Sequence, residues 1–199
     1  MNALALGLFL LYLLVVFAGR ALLLKRQTGT AGWRGITGRP GSAAWFGGVL
    51  FAVALALGLL APVAGLLGLS NLFNAPVVQA FGVGLFAAGS VGSVVAQRAM
   101  GAAWRVGVAA DEQTALVGDG VFARVRNPFF STLLLSASGL ALMVPGVPAL
   151  AALVLLVVAV ELQVRVVEEP HLLALHGDDY RAYAARAGRF LPGIGTIRP

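Results

Sequence analysis

Cysteine is absent from the 199 residues, and His171 and His176 are the only histidines. Disulfides, thiol nucleophiles and cysteine-ligated metals are thereby excluded. The five-residue spacing of the two histidines is awkward for a pair of ligands on one helix, so no metal site is expected. Charge is scarce as well. Asp, Glu, Lys and Arg together make 11% of the chain against 59% hydrophobic residues, where a soluble domain carries about a quarter charged residues. With a mean hydropathy of +0.91, this composition excludes an ordinary soluble domain and predicts an all-α integral membrane protein. Acidic residues are the scarcer sign, eight against fourteen basic, for a net charge of +6. Such an excess can serve nucleic acid, but here the basic residues cluster between apolar runs, which is the positive-inside pattern of a membrane protein. Nucleic acid is not an expected partner.

What is present is a series of apolar runs. The first, Ala3 to Leu24, is long enough to span a bilayer, which needs roughly 20 residues. It exceeds a signal-peptide core and lacks a basic leader and a small-residue cleavage site. Arg20, near its end, is expected to snorkel to the interface. Lys25 to Ser42 is a basic, Gly-rich loop. A second span runs from about Ala43 to Leu60, with Trp45 near its start, and the uncharged stretch Pro62 to Ala75 follows. A third covers about Pro76 to Ala96, where Gly82, Gly84, Ala87, Ala88, Gly89, Gly92 and Ser93 would permit close helix packing. Gln97 to Asn127 is charged, with an interfacial stretch expected around Trp104. Pro128 to Val144 and Val147 to about Val164 form a tight antiparallel hairpin across Pro145 and Gly146. The charged tail, Arg165 to Pro199, carries a helix from about Val166 to Ala187, ended by Gly188. Every Lys and Arg lies in or beside alternate loops, which predicts five spans, the N-terminus outside and the C-terminus inside. The chain divides into a membrane region, 1–97, and a catalytic region, 98–199.

The stretch Gly118 to Phe130, GDGVFARVRNPFF, is the centre of the functional reading. Asn127 suits an N-cap and Pro128 the first helical turn. The free N–H groups there, beside Arg124 and Arg126, make an anion site at the membrane edge. Near the C-terminus, Glu161, Arg165, Glu168 and Glu169 fall at spacings of three and four. A regular helix would place them on one face, and ionisable residues at a bilayer edge are functional candidates. A helix-end ion pair that merely solvates the exit of the fifth span accounts for the same spacing. Tyr180 and Tyr183 share a helical face and, with Arg189, would close a small-molecule pocket or simply pack an amphipathic helix on the bundle.

In combination these segments are more specific. VGDGVFARVRNPFF, the Pro-Gly hairpin and RVVEEPHLLALHGDDYRAYAARAGRFLP resemble the isoprenylcysteine carboxyl methyltransferase family and its phospholipid N-methyltransferase relatives. The resemblance runs from about Gly101 to Pro192. Asn127 stands where the family has His, Phe122 and Phe130 where Tyr is frequent, and His176 where Phe is usual. Asn127 can cap and hydrogen-bond but cannot titrate.

The resemblance implies S-adenosylmethionine as cofactor, with S-adenosylhomocysteine as product, held between the segment Gly120, Arg124, Asn127, Pro128 and the C-terminal helix. Its carboxylate would suit Arg126, its sulfonium and amino group Glu168, Tyr180 and Tyr183, and its adenine an apolar slot near Val117, Val121 and Leu172, with Arg189 closing the site. Arg165, oriented by Glu168 or Glu169, would anchor a carboxylate acceptor. The acceptor implied is a prenylated cysteine or another isoprenoid or lipid-like molecule entering from the bilayer. For a lipid amine, a carboxylate would instead accept the proton. An NADPH-dependent membrane reductase of similar architecture and a non-catalytic protein on the same frame are the rival readings.

Overall fold

The computed structural model describes residues 1–32, 35–69, 71–101 and 116–197. The stretch around Trp104, with Arg34, Arg105, Asp111 and Glu112, lies outside the described residues. α1 (Asn2–Thr28) follows the first apolar run. α2 (Ala43–Leu66) opens where Ser42 accepts a hydrogen bond from Trp45 N at 3.3 Å. α3 (Pro76–Met100) and α4 (Pro128–Met143) both begin on a proline, whose missing N–H costs nothing in a first turn. α5 (Val147–Leu162) passes through a π turn, Gln163–Glu168, into α6 (Glu169–Arg186) without a break. α6 is kinked at Gly177, whose φ of 53° is open to glycine, so the expected helix from Val166 to Ala187 is broken there. Among the described residues α1, α2, α3 and the stretch from α5 into α6 are long and apolar enough to cross a membrane. α4 has 16 residues, about 24 Å of helix.

The hairpin of α4 and α5 turns at Val144–Gly146, where Leu72 N donates to Pro145 O at 2.7 Å. The two helices do not pack chiefly on each other. α4 lies against α3 and α5 against α2, because glycines open the face between α3 and α4. A Cβ on Gly82 would stand 2.8 Å from Gly139 O and 2.9 Å from Leu142 Cβ. Gly89, Gly92 and Ser93 also face α4, whereas Gly84 meets nothing and Ala87 and Ala88 are exposed. Gly139→Ala is therefore expected to destabilise the bundle by about 1–3 kcal/mol through overpacking. Thermal unfolding in detergent, with Gly84→Ala as an unaffected control, measures this.

Several polar groups inside the bundle pair with one another, as a water-free interior favours. Tyr12 OH meets Ser93 Oγ at 3.2 Å, and Ser93 Oγ meets Thr132 Oγ1 at 3.2 Å. α1 widens into a π turn at Leu13–Gly19, and Gln97 Nε2 donates to Val16 O there at 2.8 Å. Arg20 is buried rather than extended outward. Its guanidinium reaches inward to Gly101 O, since the carbonyl at the end of α3 is a nearer acceptor than solvent.

Candidate active site

The site lies at the end of the bundle where α3 stops, α4 starts and α6 leaves. A short 3₁₀ turn, Gly120–Ala123, leads into it, and the chain after α6 folds back on the segment before α4. Arg126 N donates to Gly188 O at 2.8 Å, Asn127 N to Arg189 O at 3.1 Å, and Gly188 N to Arg124 O at 3.0 Å. Asn127 is the residue before α4 but does not cap it with its side chain. Its Nδ2 donates to Arg189 O at 3.2 Å, and Ser131 Oγ donates to Phe190 O at 2.6 Å. The Asn therefore fastens the tail to the helix start, and this needs no titrating imidazole.

Glu169 is the hub. It accepts from Arg126 Nη2 at 2.6 Å and from Arg189 Nε and Nη2, both at 2.8 Å. The three side chains are buried, at 2% exposure for Arg126, 11% for Glu169 and 15% for Arg189. Burial alone would raise the Glu169 carboxyl, but the hydrogen bonds from Arg189 and Arg126, with their charges, hold it below its ordinary value. Arg126 also donates to Ala184 O and Ala187 O at the C-terminal end of α6 and to Gly195 O. Those carbonyls have no helical partner and attract a cation. Arg126 is thus mostly committed to the protein, and its Nε is buried without a hydrogen-bond partner.

Beside the hub is a half-open pocket of about 140 Å³. Met100, Leu116, Val117, Phe122 and Leu172 give it an apolar wall. Arg126, Asn127, Glu168, Glu169, Tyr180 and Tyr183 give it a polar one. Burial pushes the Glu168 carboxyl up to about 7. The Gln163 amide, which donates to it at 3.3 Å, opposes the rise, and the charge of Glu169 adds to it. Tyr183 OH donates to Phe122 O at 2.9 Å, and burial pushes both Tyr180 and Tyr183 up to about 12. Their rings pack edge to face, with centroids 6.1 Å apart.

Eight of the residues expected from the sequence therefore meet at one pocket: Val117, Arg126, Asn127, Glu168, Glu169, Leu172, Tyr180 and Tyr183. Arg189 stands behind Glu169. Gly120 and Arg124 are exposed, while Val121 and Pro128 are not among the lining residues. Arg165 is also away from the pocket. It is 54% exposed and pairs with Glu161, not with Glu169. The π turn is the physical reason. It widens the helix between Gln163 and Glu168, so Arg165 keeps its expected neighbour Glu161, four residues before it, while Glu169, four residues after it, is turned onto Arg126 and Arg189. Gln163, five residues before Glu168, becomes the partner instead. Met100, Leu116 and Phe122 are lining residues that the sequence reading misses; the first two have only their position flanking the charged segment as a signal, and Phe122 lies within the motif without a role read for it.

A helical membrane protein with a charged, half-open pocket at the ends of its spans defines the class, a membrane-embedded protein with a small-molecule site. A model of the phospholipid methyltransferase family matches residues 77–179, half of the chain, and the chain belongs to that family. The family takes in the isoprenylcysteine carboxyl methyltransferase-like membrane methyltransferases. A comparison with curated proteins gives no match. The matched residues run from α3 to the middle of α6, and Tyr180, Tyr183 and Arg189 lie beyond them.

Proposed function

We propose that the protein transfers the methyl group of S-adenosylmethionine to a lipid-like acceptor held at the bilayer edge, with the pocket on the cytoplasmic side. The observation that carries this reading is the donor set of the pocket. Among the described residues it brings one N–H without a hydrogen-bond partner, Arg126 Nε, together with one carboxyl that pairs with no arginine, Glu168, beside an apolar wall. These match the parts of the cofactor: its carboxylate on Arg126 Nε, its amino group on Glu168 or the tyrosines, and its adenine on Val117 and Leu172. The cofactor supplies a methyl carbon that already carries a good leaving group, so the protein need not activate departure. The work left to the chain is alignment. Arg126, locked by Glu169 and the α6 carbonyls, is a rigid point for that purpose.

Of the possible acceptors, a lipid amine suits this pocket best. An ammonium must lose a proton before its lone pair can attack, and Glu168, ionising near neutrality, can take it. A prenylated cysteine or other isoprenoid carboxylate is the second reading. It needs a cationic anchor, and Arg165 is held only by an exposed pair with Glu161, the kind worth about 0–1 kcal/mol and easily released.

Calorimetric titration of the detergent-solubilised protein with S-adenosylhomocysteine tests the cofactor site. Wild type is expected to bind. Arg126→Lys, which loses the Nε donor, and Leu172→Trp, which fills the apolar wall, are expected to bind at least about tenfold more weakly. Failure of folded wild type to bind would overturn the reading, and NADPH binding in its place would establish the reductase.

A further inference from the structure

Gln163 and Glu168 are the two ends of the π turn that joins α5 to α6. A π turn bonds backbone groups five residues apart, which brings these two side chains onto one edge of the helix. Gln163 Nε2 donates to Glu168 Oε1 at 3.3 Å, and among the described residues Glu168 Oε2 has no hydrogen-bond partner. The other side of the amide lies against α2. A Cβ on Gly47 would stand 3.7 Å from Gln163 Oε1 and 3.8 Å from Gln163 N, with Ala159 O at 3.7 Å. Gly47 is buried, so the amide is held between α2 and the carboxyl. α2 brings no titratable side chain to this place. The charged and titratable groups that line the pocket with Glu168 are Glu169 from the next position, Arg126 from the segment before α4, and Tyr180 and Tyr183 from α6. Arg126 is bonded to Glu169 and Tyr183 to Phe122 O, which leaves Gln163 as the group bonded to Glu168 itself.

We propose that Gln163 is a positioning residue that holds Glu168 by Oε1, so that Oε2 is the oxygen presented to the pocket and the one that takes a proton there. A donor bonded to a carboxylate favours its charged form. Gln163 therefore opposes the burial that raises Glu168 and keeps its ionisation near neutrality. Without the amide the carboxyl would stay protonated above neutral pH and could accept no proton there. With an amine acceptor, the N–H bond of the ammonium breaks as the Oε2–H bond forms, and the nitrogen lone pair is freed to attack the methyl carbon. That consequence rests on the methyltransferase reading; the hold of Gln163 on Glu168 does not.

The test is infrared titration of the full chain in detergent, following the stretch of the protonated carboxyl as pH rises. In wild type the band that Glu168→Gln removes is expected to disappear with a midpoint near 7. Gln163→Met keeps the length of the side chain but loses the amide, and should move that midpoint up by about one pH unit. Chemical denaturation gives a second readout. Stability of the Met variant should go on falling with pH for about one unit past the point where wild type levels off. A residue that merely packs would change stability and leave the midpoint where it is. An unchanged midpoint in Gln163→Met would overturn the proposal, and so would a wild type in which Glu168→Gln removes no band. S-adenosylhomocysteine titration of the same samples keeps the two ideas apart. If it binds and the midpoint does not move, only the role of Gln163 fails. If it does not bind and the midpoint moves, only the methyltransferase reading fails.

Discussion

Glu169→Gln is expected to destabilise the folded protein by about 3–5 kcal/mol, the cost of removing one partner from a buried ion pair. The substitution keeps the shape and one acceptor oxygen. It removes the charge that faces both Arg126 and Arg189, each now buried beside a neutral amide. Chemical denaturation in detergent, followed by a probe in the C-terminal segment, measures the loss. The same carboxyl gives a pH dependence of known sign. Its folded-state value is depressed, so its stabilisation is present above the ordinary carboxylate range and is lost as pH falls through the depressed value. The variant should lack that acid limb. A cost under about 1 kcal/mol would mean that backbone hydrogen bonds, not this cluster, hold the tail.

Glu168→Gln carries the largest expected effect on turnover. If Glu168 takes the proton from an amine acceptor, methyl transfer at saturating cofactor should fall by about 10²–10⁴-fold, beyond any weakening of S-adenosylhomocysteine binding measured in parallel. In wild type the rate should climb as pH passes about 7, where Glu168 becomes ionised, and this rise should vanish in the variant. Stability should run the other way. A carboxyl whose folded-state value is raised favours the fold when protonated, so wild-type stability falls as pH climbs from the ordinary carboxylate range to about 7. The Gln variant should be flat over that interval. An unchanged rate profile would leave Glu168 as a wall residue and favour the carboxylate acceptor.

The spans were legible in the sequence because hydrophobic length is a local property, and each apolar run became a helix; the second, expected to end near Leu60 before a loop from Pro62, instead continues to Leu66 with Pro62 inside it. The pocket was legible to the extent that its residues come from two motif-bearing segments, Val117–Asn127 and Glu168–Tyr183. The failures have separate causes. α-Helical spacing puts Arg165 beside Glu169, and the π turn at Gln163–Glu168 breaks that spacing; its signal in the sequence is Pro170, which has no N–H to give to a carbonyl of the preceding turn. The commitment of Arg126 to the protein is hidden in the sequence because three of its four acceptors, Ala184 O, Ala187 O and Gly195 O, are backbone atoms some 60 residues away. Backbone acceptors leave no trace in composition. The inward turn of Arg20 belongs with these, since the carbonyl of Gly101 is equally silent in sequence.

The tail that closes the pocket has a consequence for how the protein is made. Arg126 and Asn127 are translated before α4, but the residues that lock them, Glu169, Gly188 and Arg189, follow once every span has been synthesised. Insertion into the bilayer and completion of the pocket are therefore separate events in the life of one chain. A reporter of insertion would score a chain stopped short of Gly188 as a success, although Arg126, Asn127 and Glu169 would lack the tail contacts that lock them. Screens for functional variants should accordingly read ligand binding rather than membrane yield.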